Sequence, residues 1–243
     1  MRISRLYLNH SLQTGQLIHL DQESAHYLRT VLRLKIGAEL TVFNGLGGEY
    51  QAELIAVNKS LVQLKIIHFI SRNVESNLIL HLALGISRGE RMDFAIQKAV
   101  ELGVYSITPL ITERVVVDIS VAKQAQKLSH WQKIAQHASE QCGRTIVPII
   151  KPICLLKDWL IYPQGLKIFL DPTANQNLNQ LTQPIDQTVY LLSGAEGGFS
   201  PNERQLAQHF GFMPIRLGSR ILRTETAVLT ALAAIQTLWG DFV

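Results

Sequence analysis

Residues 217–227 read Leu217-Gly218-Ser219-Arg220-Ile221-Leu222-Arg223-Thr224-Glu225-Thr226-Ala227, and this stretch decides the fold and the candidate site. It joins a strand predicted over 213–217 to a long apolar helix predicted over 222–239. The start of a helix carries partial positive charge and disfavours basic side chains, so Arg220 and Arg223 are unexpected there. Two interpretations stay open: the loop is a tight connection in which Glu225 pairs with Arg223, or the arginines serve a ligand.

A glycine-rich loop follows another predicted strand, 189–192. It reads Ser193-Gly194-Ala195-Glu196-Gly197-Gly198-Phe199. Glycine permits positive φ angles and the close approach of a ligand to the backbone. Ser200 and Glu203 then have capping-box spacing, with Pro201 at the first helical position, which predicts a helix start. The loop matches neither the dinucleotide fingerprint nor the P-loop, so a dinucleotide oxidoreductase is excluded.

Net charge is unevenly distributed along the chain. The 243 residues contain 23 Lys and Arg against 19 Asp and Glu. Residues 1–72 hold eight basic and five acidic side chains, whereas residues 73–243 hold fifteen and fourteen. A modest basic excess in the N-terminal third indicates contact with a polyanion.

The compartment is predicted from several weak features. Cys142 and Cys154 have neither metal-ligand nor redox spacing, which is typical of buried thiols in a reducing compartment. The first ten residues contain no long apolar segment, and no apolar run approaches the ~20 residues of a membrane span. Histidines show no ligand spacing with Cys or carboxylates. We expect a cytoplasmic protein without metal or membrane partner.

The first 72 residues predict a small barrel or half-barrel. Short apolar or β-branched segments predict strands at 6–8, 17–20, 39–43, 49–57 and 61–70, with a hairpin turn at 44–48. One helix is predicted over 23–34. On an ideal helical wheel, His26, Arg29 and Arg33 share one stripe. That stripe is either a solvated face or an RNA contact.

Residues after the polar break at 70–77 alternate strands and helices. Strands are predicted at 78–86, 107–111, 167–170, 189–192 and 213–217, and helices at 92–102 and 123–141. Apolar strands separated by helices predict a parallel sheet covered on both faces. Ligands of such sheets bind beyond the carboxyl ends of the strands. Three strand exits are therefore candidates: 171–173, 194–198 and 217–224. The last helix is apolar around most of its girth, so it lies in a core or at a dimer interface.

Five motifs occur in the order of a known family. They are Glu101-Leu102-Gly103-Val104, Glu113-Arg114, Glu140-Gln141-Cys142-Gly143-Arg144, Glu196-Gly197-Gly198 and the stretch 217–226. Together they resemble the RsmE family of bacterial ribosomal RNA methyltransferases, a branch of the SPOUT superfamily. The resemblance covers essentially the whole chain.

The resemblance implies an α/β fold of two domains. Residues 1–72 would form a PUA-like RNA-binding β-barrel, and residues 73–243 a SPOUT methyltransferase domain with a mostly parallel sheet and a deep trefoil knot. It also implies a homodimer that binds S-adenosyl-L-methionine and methylates N3 of a uridine in the 16S ribosomal RNA of the small subunit. Knots are so rare that residue patterns alone would not propose one.

The resemblance also assigns roles to residues. The cofactor pocket would be formed by Leu170, Gly194, Gly197, Leu217, Gly218, Ile221 and Leu222, and the catalytic residues would be Arg144, Arg223, Glu196 and Glu225. Phosphates would be bound by Arg2, Arg5, Arg29 and Arg33. Arg144 has a second interpretation, in which it complements the C-terminal end of a helix that Gly143 terminates. Either glutamate could instead anchor an arginine.

Departures from the family pattern leave rivals open. The family's glycine loop usually reads Ile-Gly-Pro-Glu-Gly-Gly, whereas Ser193 and Ala195 stand at its first and third positions here, and Ser219 stands where many members have Pro. An alanine in place of proline makes the loop less rigid. The rivals are a related methyltransferase acting on a ribose hydroxyl or another base, and a non-catalytic RNA-binding assembly factor.

Overall fold

The computed structural model describes residues 4–58, 61–115, 117 and 119–242, and the chain divides into two compact units. The first unit comprises Met1–Glu75 together with Ser139–Val147. The second comprises Ser76–Ala138 and Pro148–Val243. The sequence placed the boundary at 72/73 and assigned 139–147 to the second domain. Contacts between residues distant in sequence draw that segment into the first unit.

The first unit contains a five-stranded sheet. Its strands are β1 (Arg5–Tyr7), β2 (Leu17–His19), β3 (Glu39–Phe43), β4 (Glu49–Val57) and β5 (Val62–Ile70). They lie in the order β1-β3-β4-β5-β2, with β1 parallel to β3 and the other pairs antiparallel. The predicted turn at 44–48 joins β3 to β4, and its glycines adopt the positive φ angles that the turn requires. All five predicted strands are present.

The predicted helix over 23–34 is shorter and not uniform. Helix α1 (Gln22–His26) begins at Asp21, whose side chain accepts the backbone N–H of Ser24, and a π-helical turn (Tyr27–Val31) follows. Leu32 N–H donates to the carbonyl of Tyr27, five residues earlier, at 3.0 Å. Arg33 then has a φ of 52°. A π turn and a left-handed residue change the angular spacing, so the ideal-wheel argument for an arginine stripe does not apply.

The second unit contains a seven-stranded sheet. Its strands are β6 (Ile79–Gly85), β7 (Ser106–Ile111), β8 (Ile149–Ile150), β9 (Cys154–Leu155), β10 (Leu166–Leu170), β11 (Thr188–Ser193) and β12 (Met213–Ile215). The order is β12-β10-β11-β6-β7-β8, β9 also pairs with β7, and every described pair is parallel. The sequence missed β8 and β9, because strands of two residues have no periodicity.

Helices accompany this sheet. They are α2 (Gly89–Glu101), α3 (Val121–Cys142, which enters the first unit at Ser139), α4 (Leu156–Trp159), α5 (Pro201–His209) and α6 (Thr224–Trp239). Apolar residues of β10 and β11 pack with Trp159 and Phe212 in one buried cluster. The alternating arrangement confirms the predicted α/β fold with a parallel sheet. Closure of the first sheet into a barrel and the trefoil knot stay predictions.

Helix α6 supports the core interpretation for much of its length. Val228, Ala231, Leu232 and Ile235 are fully buried. Gln236 is buried as well, and its amide donates to the carbonyl of Leu102 at 3.0 Å and accepts from the Ser76 hydroxyl at 2.9 Å. Within the described part of the chain, no helix has the length and apolarity needed to cross a membrane.

Candidate active site

Three neighbouring strands deliver their following loops to one cavity. Strands β12, β10 and β11 are adjacent and parallel, so their carboxyl ends meet at the same edge of the sheet. A cavity of about 430 Å³ lies there. Its lining comes from 170–172 after β10, 193–199 after β11 and 215–224 after β12, with Arg91, Arg204 and Ala227. These are the three strand exits that the sequence singled out.

The cavity gathers most residues of the predicted site. All seven residues of the predicted cofactor pocket line it, and so do Arg223 and Glu196: Leu170, Gly194, Gly197, Leu217, Gly218, Ile221 and Leu222. Glu225 lies in the first turn of α6, next to the lining residue Thr224. Arg144 belongs to the first unit and is not among the lining residues.

The glycine loop is folded tightly. Gly198 N–H donates to the carbonyl of Ala195 at 2.9 Å, and Gly198 has a φ of 64°. A Cβ on Gly197 would approach the Arg114 Cβ to 2.9 Å, which is closer than real side chains come. Bare glycines are therefore required both for the turn and for its packing.

Gly85 is a site residue that sequence reasoning missed. It is the last residue of β6, and a Cβ there would lie 2.7 Å from the backbone carbonyl carbon of Gly194 and closer still to the Ala195 nitrogen. The glycine loop therefore rests directly on the end of the neighbouring strand. A single glycine at a strand end gives no signal of this contact, because its partner lies about a hundred residues away.

The arginine loop favours the ligand interpretation. Among the described residues, Arg223 has no ion pair with Glu225, and Glu225 Oε2 is buried without a hydrogen-bond partner. Arg223 is the N-cap of α6 and supplies no side-chain cap to the helix. Its carbonyl accepts the N–H of Ala227 at 2.8 Å, so its backbone is held while its side chain is not. A purely structural loop would use these charges on each other.

A buried carboxylate was only half anticipated. Asp171, which follows β10, is buried in the cavity wall. Its Oδ1 accepts the N–H and hydroxyl of Thr173 at 2.9 and 2.7 Å, and Arg204 lies 3.2 Å from the same oxygen. The sequence identified the strand exit but not Arg204, because that residue lies on the exposed side of α5 in the sequence pattern. The lining carries five arginines against Asp171 and Glu196, so the cavity is strongly positive.

Glu196 and Glu203 anchor the loops from below. Glu196 Oε1 accepts the backbone N–H of Arg88 and pairs with Arg91, each at 3.2 Å. The predicted capping box is confirmed: Ser200 N–H donates to Glu203 Oε2 at 2.9 Å, and Glu203 N–H donates to Ser200 Oγ at 3.1 Å. Glu203 Oε1 also accepts the Glu113 N–H at 2.8 Å, which ties α5 to the turn after β7.

The remaining predicted residues lie in the first unit. Arg144 pairs with Glu75, and its side chain is only 7% exposed. Arg5 pairs with Glu49, which Arg72 also contacts at 3.2 Å, and Arg5 donates to the Arg144 carbonyl at 3.0 Å. Of the other predicted phosphate contacts, Arg29 donates to the carbonyl of Asn58, Arg33 is exposed, and Arg2 lies outside the described residues.

Two titratable groups of the second unit have shifted pKa values. Burial lowers the pKa of His81, and the charge of Lys151 adds to the effect. Burial raises the pKa of the Cys154 thiol, with the Asp158 carboxylate adding to it, so this cysteine is a poor nucleophile. No cluster of three potential metal ligands occurs among the residues that the structure describes.

Comparison with known proteins defines the class first. Residues 74–236 match the family model described as RNA methyltransferase domain, and residues 20–67 match that described as RNA methyltransferase PUA domain. The fold and the strand-exit cavity are therefore those of an RNA methyltransferase with a PUA domain.

Individual relatives narrow the class. The ribosomal RNA small subunit methyltransferase E of Buchnera aphidicola (Schizaphis graminum) is 39% identical, with 99% of this chain and 98% of the relative covered. The Neisseria gonorrhoeae protein of that name, solved with S-adenosyl methionine, is 38% identical with a TM-score of 0.93, and both chains are fully covered. A Legionella pneumophila methyltransferase solved with bound SAM is 41% identical with a TM-score of 0.96, again over both full chains. The chain belongs to the ribosomal RNA small subunit methyltransferase E family, which confirms the resemblance drawn from its motifs.

Proposed function

We propose that this protein transfers the methyl group of S-adenosyl-L-methionine to N3 of a uridine in the 16S ribosomal RNA of the small ribosomal subunit. Family membership supports the RNA substrate, and the two solved relatives bind the methyl donor. The observation that carries the proposal is the cavity at the carboxyl ends of β10, β11 and β12, lined by all seven residues expected to hold the donor.

The cavity fits this donor. Its volume lies within the ~300–1,000 Å³ typical of small-molecule sites. Gly194 and Gly197 expose backbone groups, and Leu170, Leu217 and Leu222 supply apolar walls suited to an adenine ring. Gly218 has a φ of 71°, so the loop can bend without a side chain in the way. When bound, the donor supplies a methyl group attached to a positively charged sulfur.

Positioning is the main contribution of these loops. N3 lies on the Watson–Crick edge, so the uridine must be unpaired or flipped out before it can react. Holding two reactants in line can lower a barrier by roughly 7–11 kcal/mol. The loops after β11 and β12 form opposite parts of the lining, which suits them to hold the donor on one side and to leave the base one direction of approach.

Charge and proton movement fall to the arginine loop. Forming the N3–methyl bond breaks the sulfur–methyl bond and releases the N3 proton. We assign Arg223 to stabilise the negative charge that develops on the uracil carbonyl, because its guanidinium has no partner among the described residues. Glu225, whose Oε2 has no partner either, is the proposed proton acceptor. Glu196 is the proposed positioning residue, since its Oε1 is engaged by Arg88 and Arg91.

RNA binding is assigned in part to the first unit, through Arg29 and Arg33 and through Arg2. The contacts of Arg5 and Arg144 favour a structural role for both, whereas the sequence predicted RNA contact. That Arg144 holds the target nucleotide stays a prediction. A homodimer in the cytoplasm, without metal or membrane partner, completes the proposal.

One experiment tests the reaction. Labelled S-adenosylmethionine is incubated with the protein and small ribosomal subunits that lack the modification, and the digested nucleosides are identified by mass. Label in 3-methyluridine supports the proposal. Label in another nucleoside would assign a different target atom, and no label together with no donor binding would favour the assembly-factor rival.

A further inference from the structure

A second cavity adjoins the first at the same edge of the sheet. It has a volume of about 580 Å³ and is lined by Arg88, Gly89, Glu90, Arg91, Arg114, Glu196 and Gly197. Three of these side chains stand at the same place in neighbouring strands. Arg88, Arg114 and Glu196 each follow by three residues the end of β6, β7 or β11. The second cavity therefore continues the row of strand exits that forms the first.

The two cavities share a wall. Arg91, Glu196 and Gly197 line both of them. The wall is braced from the side of the second cavity: Arg91 pairs with Glu196 at 3.2 Å, and Arg114 donates to the Gly197 carbonyl at 2.9 Å. A group bound in the second cavity would lie directly beside whatever the glycine loop holds in the first.

The lining of the second cavity consists of charged residues and glycines. It contains no aromatic or aliphatic side chain, so it offers a base nothing on which to stack. Arg91 and Glu196 largely neutralise each other, which leaves Arg88 and Arg114 facing the single carboxylate of Glu90. Guanidinium groups match the geometry of phosphate oxygens.

The two unneutralised arginines have donors to spare. The guanidinium of Arg88 has no hydrogen bond or ion pair within the part of the chain that the structure describes. Arg114 uses one of its terminal nitrogens on Gly197 and retains other N–H donors. Both residues are solvent-exposed, so a large anionic ligand can reach them.

We propose that Arg88 and Arg114 bind phosphates of the RNA strand that carries the target nucleotide, and that the Arg91–Glu196 pair separates this strand from the methyl donor. This inference rests on the proposed function, because it names the part of the site that takes the RNA backbone. Glu90 opposes the same phosphates and sets the strength of binding.

The test uses the whole protein, labelled S-adenosylmethionine and small ribosomal subunits that lack the modification. Arg88→Ala and Arg114→Ala should each raise the KM for subunits about three- to tenfold, as expected for loss of one exposed charge-assisted contact. Each should also flatten the slope of log binding constant against log salt by about 0.7 to 0.9. Glu90→Gln should lower the KM, because it removes the opposing charge.

Two measurements separate this role from others. Donor binding, followed by calorimetry without RNA, should be unchanged in Arg88→Ala and Glu90→Gln. Lys157→Ala removes an exposed positive charge on α4, away from both cavity linings, and should leave KM and the salt slope unchanged. It is the matched control for net charge.

The outcomes are distinguishable. If the parent protein methylates subunits but both arginine variants keep its KM and salt slope, the phosphate-binding role is wrong while the proposed function stands. A rise in KM for Glu90→Gln, or a matching loss of donor affinity in Arg88→Ala, would also overturn the role. Absence of methyl transfer by the parent protein would overturn the proposed function and this inference with it.

Discussion

Arginines are used in opposite ways by the two units of this chain. In the first unit, Arg5, Arg72 and Arg144 are paired with Glu49 and Glu75 of the same unit. In the second unit, the guanidinium groups of Arg88 and Arg223, which line the cavities, have no such partner among the described residues. A guanidinium whose donors face a carboxylate of its own chain stabilises the fold, and one whose donors are unused can bind an anion from outside.

The largest effect expected from this comparison is on stability. Arg144→Ala should lower the free energy of unfolding by about 3 to 5 kcal/mol, because Glu75 would be left buried without its partner. Urea unfolding measures this, with the exposed Arg33→Ala as control. The double variant Arg144→Met with Glu75→Leu should regain much of the loss. If Arg144→Ala keeps its stability but loses methyl transfer, the sequence prediction that Arg144 holds the target nucleotide would be supported instead.

Arg223→Ala should produce the opposite pattern. Loss of a donor that stabilises developing charge typically costs about 10²–10³ in rate, and stability should stay within about 0.5 kcal/mol because the side chain has no partner to lose. Initial rates at saturating donor and the melting temperature are the measurements. Near-normal activity of this variant would overturn the role given to Arg223.

Gly85→Ala tests whether the cavity depends on the packing beneath the glycine loop. The new Cβ would collide with the backbone of Gly194 and Ala195. Overpacking of this kind costs about 1–3 kcal/mol, and we expect weaker donor binding because the loop must move. Calorimetry with the donor and urea unfolding measure the two effects. Ser87→Ala, which adds no atoms near the loop, is the control, and equal donor affinity in Gly85→Ala and the parent would contradict the packing argument.

Arg29→Ala combined with Arg33→Ala tests the first unit's exposed arginines. The pair should weaken binding to small subunits and flatten the salt slope by about 0.7 to 0.9 for each phosphate released. Filter binding at several salt concentrations gives the slope. An unchanged slope would move the RNA surface elsewhere, for instance to the second unit alone.

The smallest effect concerns a partnered group inside the second unit. His81 stacks on Tyr190 and shares a 2.7 Å hydrogen bond with Ser106, and its pKa is lowered mainly by burial. The unfolded chain therefore takes up a proton near the ordinary value of 6.5 while the folded protein does not. Stability should be highest above that pH and fall as the pH is lowered towards the folded pKa. Unfolding curves between pH 5 and 8 (a range of about three units around the free-histidine value) should show a smaller pH dependence for His81→Gln, and an identical dependence would contradict the assignment.

Much of the fold was predictable because strong local patterns decide it. The apolar run that forms β6 and the capping box of Ser200 and Glu203 are readable within a few residues, and both are present. The interrupted helix at 22–31 was not, since ideal periodicity cannot reveal a π turn. Neither were β8 and β9, which are too short to show a pattern.

The candidate site was predictable to a similar extent. Leu170, Gly194 and Gly218 were assigned to one pocket because each follows a predicted parallel strand, and they do line one cavity. Arg91 and Arg204, which complete the lining, lie on helices, where an arginine is most often a solvated side chain.

By itself the sequence determined the order of strands and helices and the chemistry of the loops between them, because apolar periodicity and glycine and arginine content are local properties. Only the tertiary structure decided which arginines are neutralised, why Gly85 must lack a side chain, and that Ser139–Val147 belongs to the first unit. Each of those depends on a partner far away in the chain, such as Glu75 for Arg144 or Ala195 for Gly85. The charge state and packing of a side chain are set by its neighbours in space, which local sequence does not specify.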